Sequence, residues 1–107
     1  MSSISSDKVI TLFETISSLK NKKECEKFLR DLLTEAEISE FANRWHVAKL
    51  LDKNVQYKDI EKETGMSSTT IARISKWLNN GTGGYKLMLQ KAKNSKKTAH
   101  HSPTNAG

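Results

Sequence analysis

The chain has 107 residues, enough for one domain with a modest hydrophobic core. No apolar run approaches the roughly 20 residues that cross a bilayer, and the first residues, MSSISSDK, lack the charged-then-apolar pattern of a secretory signal, so we expect a cytoplasmic protein without membrane contact. The formal net charge is +6, and the single cysteine, Cys25, excludes an internal disulfide and is expected to be a small buried side chain.

The positive charge is concentrated in the second part of the chain. Residues 1–63 contain eleven Lys/Arg and twelve Asp/Glu, whereas residues 64–107 contain seven Lys/Arg and no acidic residue. A segment without a carboxylate is typical of a surface that binds a polyanion. The lysines of 91–97 fit a solubilising tail as well, so the charges that point to a polyanion are those of Arg73 and Lys76.

Apolar residues recur at helical spacing in the first half of the chain. One helix is predicted over 7–19, and a second, after the polar stretch KNKKE, carries the apolar positions of 25–32. Thr34, followed three residues later by Glu37, matches a capping box and predicts the start of a third helix that ends near Asp52. This third helix is apolar over so much of its circumference that it needs cover on several sides, which a second subunit can supply in part.

The second half of the chain contains three more predicted helices. Two short ones cover about 57–64 and 67–78, and Gly81 in the stretch NNGTGG is placed to end the second of them. A last short helix has Tyr85 and Leu89 on its apolar face, and the residues from 93 onward have no apolar stripe and are predicted to be disordered. The prediction is an all-α domain of about six helices in 1–92, followed by a basic disordered tail in 93–107.

The segment 57–78 has the features of a helix-turn-helix. Gly65 can adopt the left-handed backbone conformation that the turn requires, and Ser67 is a good N-cap for the second helix. The positions that face the partner helix or plug the turn are all apolar: Ile60, Met66, Ile71 and Ile74. We therefore predict two helices packed at an angle across a short turn.

The outward residues of the second helix are suited to contact with DNA. The candidate DNA-binding residues are Ser67, Ser68, Thr69, Thr70, Arg73 and Lys76. Short hydroxyls at the start of such a helix can reach base edges in the major groove, and the two cations can reach phosphate or guanine. A helical hairpin used only for packing is the alternative, and it would need neither the hydroxyl cluster nor the acid-free flank.

At these residues the sequence resembles the Trp repressor family. LLTEAEISEFANRWHVAKLL followed by DIEKETGMSSTTIARISKWL is similar to the central helix and DNA-reading head of that repressor, and the ending GTGGYKLML is more similar to the TrpR-like YerC/YecD branch. The resemblance covers about 30–90. It implies an intertwined all-α homodimer whose two helix-turn-helix heads face successive major grooves, about 34 Å apart.

The resemblance also implies an effector site for L-tryptophan, framed by two arginines at the positions of Arg44 and Arg73. The neighbouring residues argue against that ligand. Ile74 stands where the family has a glycine that leaves room for the indole, and Trp77 stands where a serine helps to hold the amino group. Losing that serine removes a partner from a buried ammonium, at a cost of about 1–3 kcal/mol. We expect Ile74 and Trp77 to fill the pocket, and no cofactor to be needed.

Other interpretations of single residues are more ordinary. Arg44 is expected to pair with Glu40, four residues earlier on the same helix, and Trp45 and Trp77 are expected to be core anchors. His46 has no second ligand at metal-binding spacing, and the adjacent pair His100 and His101 is too small for a structural metal site. No catalytic grouping or phosphate-binding glycine loop is present, so we do not expect an enzyme.

The sequence thus predicts a DNA-binding transcriptional regulator, a repressor that binds operator DNA as a homodimer. Two alternatives from other classes remain. One is a protein-interaction module that uses the helical hairpin, and the other is the DNA-binding remnant of a transposase or replication initiator. The latter proteins normally carry a catalytic or ATPase domain that a chain of this length cannot hold.

Overall fold

The computed structural model describes the backbone of residues 6–106 and the side chains of residues 6–95. The described backbone forms six α-helices and no strands, which confirms the predicted all-α fold class. The helices are α1 (Asp7–Ser17), α2 (Lys22–Leu32), α3 (Glu35–Asp52), α4 (Tyr57–Thr64), α5 (Ser68–Asn80) and α6 (Gly84–Ala106). Within the described residues, no helix combines the length and the apolar character needed to span a membrane.

Side-chain caps define where the first three helices begin. Ser6 and Asn21 accept hydrogen bonds from backbone N–H groups in the first turns of α1 and α2, at 3.3 and 2.9 Å. Before α3, the Thr34 hydroxyl accepts from the Glu37 N–H at 3.1 Å while the Glu37 carboxylate accepts from the Thr34 N–H at 2.9 Å. The predicted capping box is confirmed, because both orphan donors are satisfied reciprocally.

The chain divides into two compact units between Ser39 and Glu40. In the first unit, neither α1 nor α2 has a buried residue. The large apolar side chains that remain exposed there are Ile10, Phe13, Ile16 and Leu32, at 40–58 % of their full exposure. Cys25 is only partly buried, contrary to our expectation, because a single chain covers so little of these helices.

The second unit contains the hydrophobic core. Its central cluster joins α3, α4 and α5 through Val47, Ala48, Leu50, Ile60, Ile71 and Ile74. Five of these side chains are fully inaccessible to solvent, and Leu50 is 9 % exposed. Met66 and Trp45 pack against the cluster and are partly buried. The core therefore fixes α5 against the second half of α3.

The end of α3 is shaped by Asn54, whose φ of 64° is left-handed. The Asn54 N–H donates to the Leu51 carbonyl at 2.9 Å, and the Val55 N–H donates to the Leu50 carbonyl at 3.0 Å. These two bonds make a Schellman motif, in which asparagine tolerates the left-handed position and an apolar contact seals the end. The motif turns the chain sharply from α3 into α4.

The last helix is longer than predicted. The apolar pattern predicts an end near Ala92, whereas α6 continues through 93–95 and ends at Ala106. Lys93 Nζ lies 2.9 Å from the Asp52 carboxylate, which ties this part of α6 to the end of α3. The basic disordered tail of 93–107 stays a prediction, while the helix itself extends beyond the short one that we expected. For 96–107, including His100 and His101, the side chains lie outside the described residues.

Candidate nucleic-acid interface

The turn between α4 and α5 is built from three consecutive residues. Gly65 has a φ of 76°, the left-handed conformation predicted for it, and its N–H donates to the Glu61 carbonyl at 2.8 Å. Met66 follows and packs on the core cluster. Ser67 is the N-cap of α5, as predicted, and its hydroxyl oxygen accepts from the Thr70 N–H at 3.2 Å. The two helices of the predicted motif are thus joined by a tight, capped turn.

One face of α5 is committed to the core. Ile71 and Ile74 are fully buried and Leu78 is 8 % exposed. These positions are three and four residues apart, so they form a single stripe along the helix. Thr69, Arg73 and Lys76 follow the same kind of spacing on the opposite side, and all three are exposed. The hydroxyl and the two cations therefore share one outward face.

The four candidate hydroxyls differ in their surroundings. The Ser67 hydroxyl caps α5 and also donates to the Thr70 hydroxyl at 3.1 Å, so the two form a local pair. Thr70 is partly buried. Ser68 and Thr69 are exposed, and within residues 6–95 their side chains make no hydrogen bond. Ser68 and Thr69 are therefore the hydroxyls that can bind an external partner without breaking an internal bond.

The cations of the outward face have no counterion among the side chains of residues 6–95. Arg73 and Lys76 are exposed, and among the residues with described side chains neither forms an ion pair. The ion pairs nearest to α5 along the chain join Arg44 to Glu40 and Lys93 to Asp52, and Glu63 is hydrogen-bonded to His46. Because 64–107 contains no acidic residue, the positive potential of α5 is not neutralised from its own segment.

His46 connects α3 to α4, a contact that sequence reasoning missed. Its Nε2 lies 2.7 Å from a carboxylate oxygen of Glu63, and both side chains are about half exposed. The two residues are seventeen positions apart, and nothing in their local sequence marks them as partners. The pair supports the orientation of α4, on which the position of α5 depends.

Arg44 is held on α3 by its neighbours. Its guanidinium is 2.9 Å from the Glu40 carboxylate, which confirms the ion pair predicted from their spacing. It also lies over the Phe41 ring, 5.4 Å from the centroid. The charge of Arg44 also acts on Tyr85. Burial raises the pKa of the Tyr85 phenol, and the Arg44 guanidinium partly opposes that rise.

The residues of the expected effector site are not brought together as one pocket. Ile74 is fully buried in the core, whereas Trp77 is 42 % exposed. Trp77 instead lines a surface hollow of about 510 Å³, and the other large side chains that line it are those of Trp45, Tyr85 and Met88. Neither Arg44 nor Arg73 lines that hollow. In a single chain, Trp77 therefore borders a space instead of filling one, and it is not the core anchor that we expected.

The opposite flank of α5 also faces protein. Ser75 and Asn79 line a groove of about 630 Å³, together with Asn54 at the end of α3 and Lys86 on α6. The Asn79 amide donates to the Ser75 carbonyl at 2.9 Å. The helix is thus bordered by the core, the hollow at Trp77 and this groove, and Thr69, Arg73 and Lys76 line none of the three.

Comparisons with known proteins place the chain in one family. The sequence model of the Trp repressor protein family matches residues 7–93. The protein YerC of Bacillus subtilis (strain 168), which is named as uncharacterised, is 43 % identical over 82 residues, covering 77 % of this chain and 79 % of YerC. A TrpR-like protein from Eubacterium eligens ATCC 27750 has a similar crystal structure, with a TM-score of 0.81, 34 % identity and coverage of 87 % of this chain and 96 % of that chain. A Trp repressor candidate from Staphylococcus aureus gives a TM-score of 0.76 at 34 % identity, over 82 % of this chain and 88 % of that chain.

Proposed function

Because the chain belongs to the Trp repressor family, close to its YerC-like members, we propose that it is a sequence-specific DNA-binding regulator that represses transcription in the cytoplasm. Its reading element is the N-cap Ser67 together with α5 as far as Lys76, and these residues enter the major groove. The observation that carries this proposal is the outward face of α5, where the Thr69 hydroxyl lies beside two cations and, among the side chains of residues 6–95, none of the three has a hydrogen-bonding or ionic partner. Hydroxyls and cations on an exposed helix suit base edges and phosphates, respectively.

The protein is proposed to bind its operator as a homodimer. Support comes from the apolar side chains that one chain leaves 46–58 % exposed on α1, α2 and α6: Phe13, Leu32, Leu87 and Met88. Exposed apolar surface of this extent is normally buried by association. Two copies related by a two-fold axis present two α5 helices to half-sites about one helical turn, or 34 Å, apart.

L-Tryptophan is not proposed as the effector. The main support is Ile74, which directly follows Arg73 and whose side chain is fully committed to the core. Trp77 places a large apolar side chain where a polar partner for an ammonium group would be needed. Arg44 is already paired with Glu40 and stacked on Phe41. We therefore propose that operator binding does not depend on free tryptophan.

The proposal is tested by selecting operator sequences from random duplex DNA with the full chain at modest salt. We expect a two-fold symmetric sequence to be enriched, with half-site centres one helical turn apart. Absence of any enriched sequence would contradict DNA reading and favour a protein-interaction module. Light scattering at micromolar concentration is expected to give the mass of a dimer, and a monomer would contradict the half-site geometry.

The same selected operator tests the role of tryptophan. Binding is measured by gel shift with and without L-tryptophan, at equal salt. We expect equal affinities, because the space that the effector needs is not formed around Arg73. A large gain with tryptophan would contradict our proposal for the effector while leaving the DNA-binding proposal intact.

A further inference from the structure

Ala72 lies at the centre of the outward face of α5. Within residues 68–76 it is the only exposed apolar residue, since the other apolar positions are buried. On a helix, residues at spacings of three and four are neighbours. Ala72 therefore has Ser68 and Thr69 on one side and Lys76 on the other, with Arg73 adjacent. The candidate DNA-binding side chains surround a single methyl group.

A central methyl group has a defined chemical complement in the major groove. Each base pair presents hydrogen-bond donors and acceptors there, and the C5-methyl of thymine is the apolar group. A residue surrounded by DNA contacts loses its water on binding, so an apolar side chain at that place favours an apolar partner. We propose that Ala72 contacts the C5-methyl of one thymine in each half-site. This inference rests on the proposed function and names a specificity-determining residue for it.

The small size of Ala72 supports the same assignment. Ser68 and Thr69 are short, so their hydroxyls reach base edges only if the helix backbone lies close to the groove floor. A long side chain at the central position would hold the helix away. Alanine is also a good helix former, and that property alone predicts no preference for a thymine methyl. A contact with thymine therefore predicts a preference for DNA that carries the methyl group, whereas a role in helix stability alone predicts none.

The experiment uses the selected operator, with each thymine replaced in turn by uracil. This change removes the methyl group and leaves the base-pairing edge unchanged. We expect that, at one thymine position in each half-site, replacement by uracil lowers the affinity about fourfold, as for the loss of one buried methyl group. In Ala72→Gly the same replacement is expected to have no effect. Ala92→Gly, a matched change at an exposed alanine of α6, is expected to keep the full thymine preference.

A second variant guards against poor folding of Ala72→Gly. Ala72→Ser retains the side-chain carbon and places a hydroxyl against the methyl group, so we expect it to bind the thymine and uracil operators equally. The inference is overturned if no thymine is sensitive, or if the sensitivity is the same in wild type and in the Ala72 variants. A selection that enriches no DNA contradicts the proposed function instead, so the two failures are distinguishable.

Discussion

The hydroxyl of Ser67 accepts a hydrogen bond from the Thr70 N–H at 3.2 Å and donates one to the Thr70 hydroxyl at 3.1 Å. This pair occupies two of the four hydroxyls that the sequence offers at the start of α5. It fixes the first turn of the helix at the tight turn after Gly65. The roles of the four hydroxyls are therefore separable by substitution.

Ser67→Ala is expected to lower the free energy of unfolding by about 1 kcal/mol, because an N-cap hydroxyl is lost. Urea denaturation of the full chain measures the change. Ser68→Ala is the matched control, since Ser68 is exposed and makes no side-chain hydrogen bond within residues 6–95, and it is expected to change stability by less than about 0.5 kcal/mol. Equal losses in the two variants would contradict the capping role.

Replacing both Thr69 and Thr70 by alanine is expected to weaken binding to the selected operator more than binding to random DNA. Each lost hydrogen bond to a base edge costs about 1 kcal/mol. Most of the effect is expected from Thr69→Ala alone, because the Thr70 hydroxyl is held by Ser67. Competition gel shifts with both kinds of DNA measure it. An unchanged operator affinity in the double variant would contradict the assignment of these threonines to the DNA-reading face.

Lys76→Gln is expected to weaken binding to specific and non-specific DNA alike. Loss of one phosphate contact reduces the slope of log affinity against log salt by about 0.9, and a homodimer loses two such contacts. Lys86→Gln removes the same charge from α6, where the side chain borders the groove on another flank of α5. A slope reduced equally by both variants would indicate a general charge effect in place of a contact.

Rules based on short sequence spacings predicted the helix caps, the turn and one ion pair, because each of these depends on residues that are close in the sequence. The cap at Ser67, the left-handed Gly65, the capping box before α3 and the Arg44–Glu40 pair each depend on residues within four positions of one another. Short spacings of this kind determine which atoms can meet, whatever the tertiary arrangement. These predictions are confirmed.

Contacts between distant residues were not predictable in the same way. The pairing of His46 with Glu63 depends on how α4 packs on α3, and the exposure of Trp77 depends on where α6 lies. The end of α6 was misjudged because the apolar stripe stops at Ala92. No glycine or proline stands between 85 and 102, so helix propensity continues where the hydrophobic pattern ends.

The phenol of Tyr85 gives an expected pH dependence of stability. Burial raises its pKa above the ordinary value of 10.0 in the folded chain. As the pH rises past 10.0, Tyr85 ionises in the unfolded chain before it does so in the folded chain, which favours unfolding. Below that pH the phenol is neutral in both states and has no such effect. Wild type is therefore expected to lose more stability than Tyr85→Phe as the solution becomes alkaline.

Urea denaturation of the two proteins at a series of alkaline pH values measures this difference. Lysine ionisation affects both proteins equally and cancels in the comparison. Tyr57→Phe, at an exposed tyrosine of α4, is the control for the loss of a phenol hydroxyl as such. A Tyr85→Phe protein that loses stability in parallel with the wild type would contradict the effect of burial.

Neither α1 nor α2 has a buried residue, so we expect the stability of the fold to depend on the protein concentration. Helices of eleven residues have little stability of their own in water, so we expect the proposed partner subunit to bury part of their apolar surface. A protein of this kind unfolds at a temperature that rises with its concentration. For the proposed homodimer, we therefore expect the amount of protein in a cell to set the share of chains that can bind DNA.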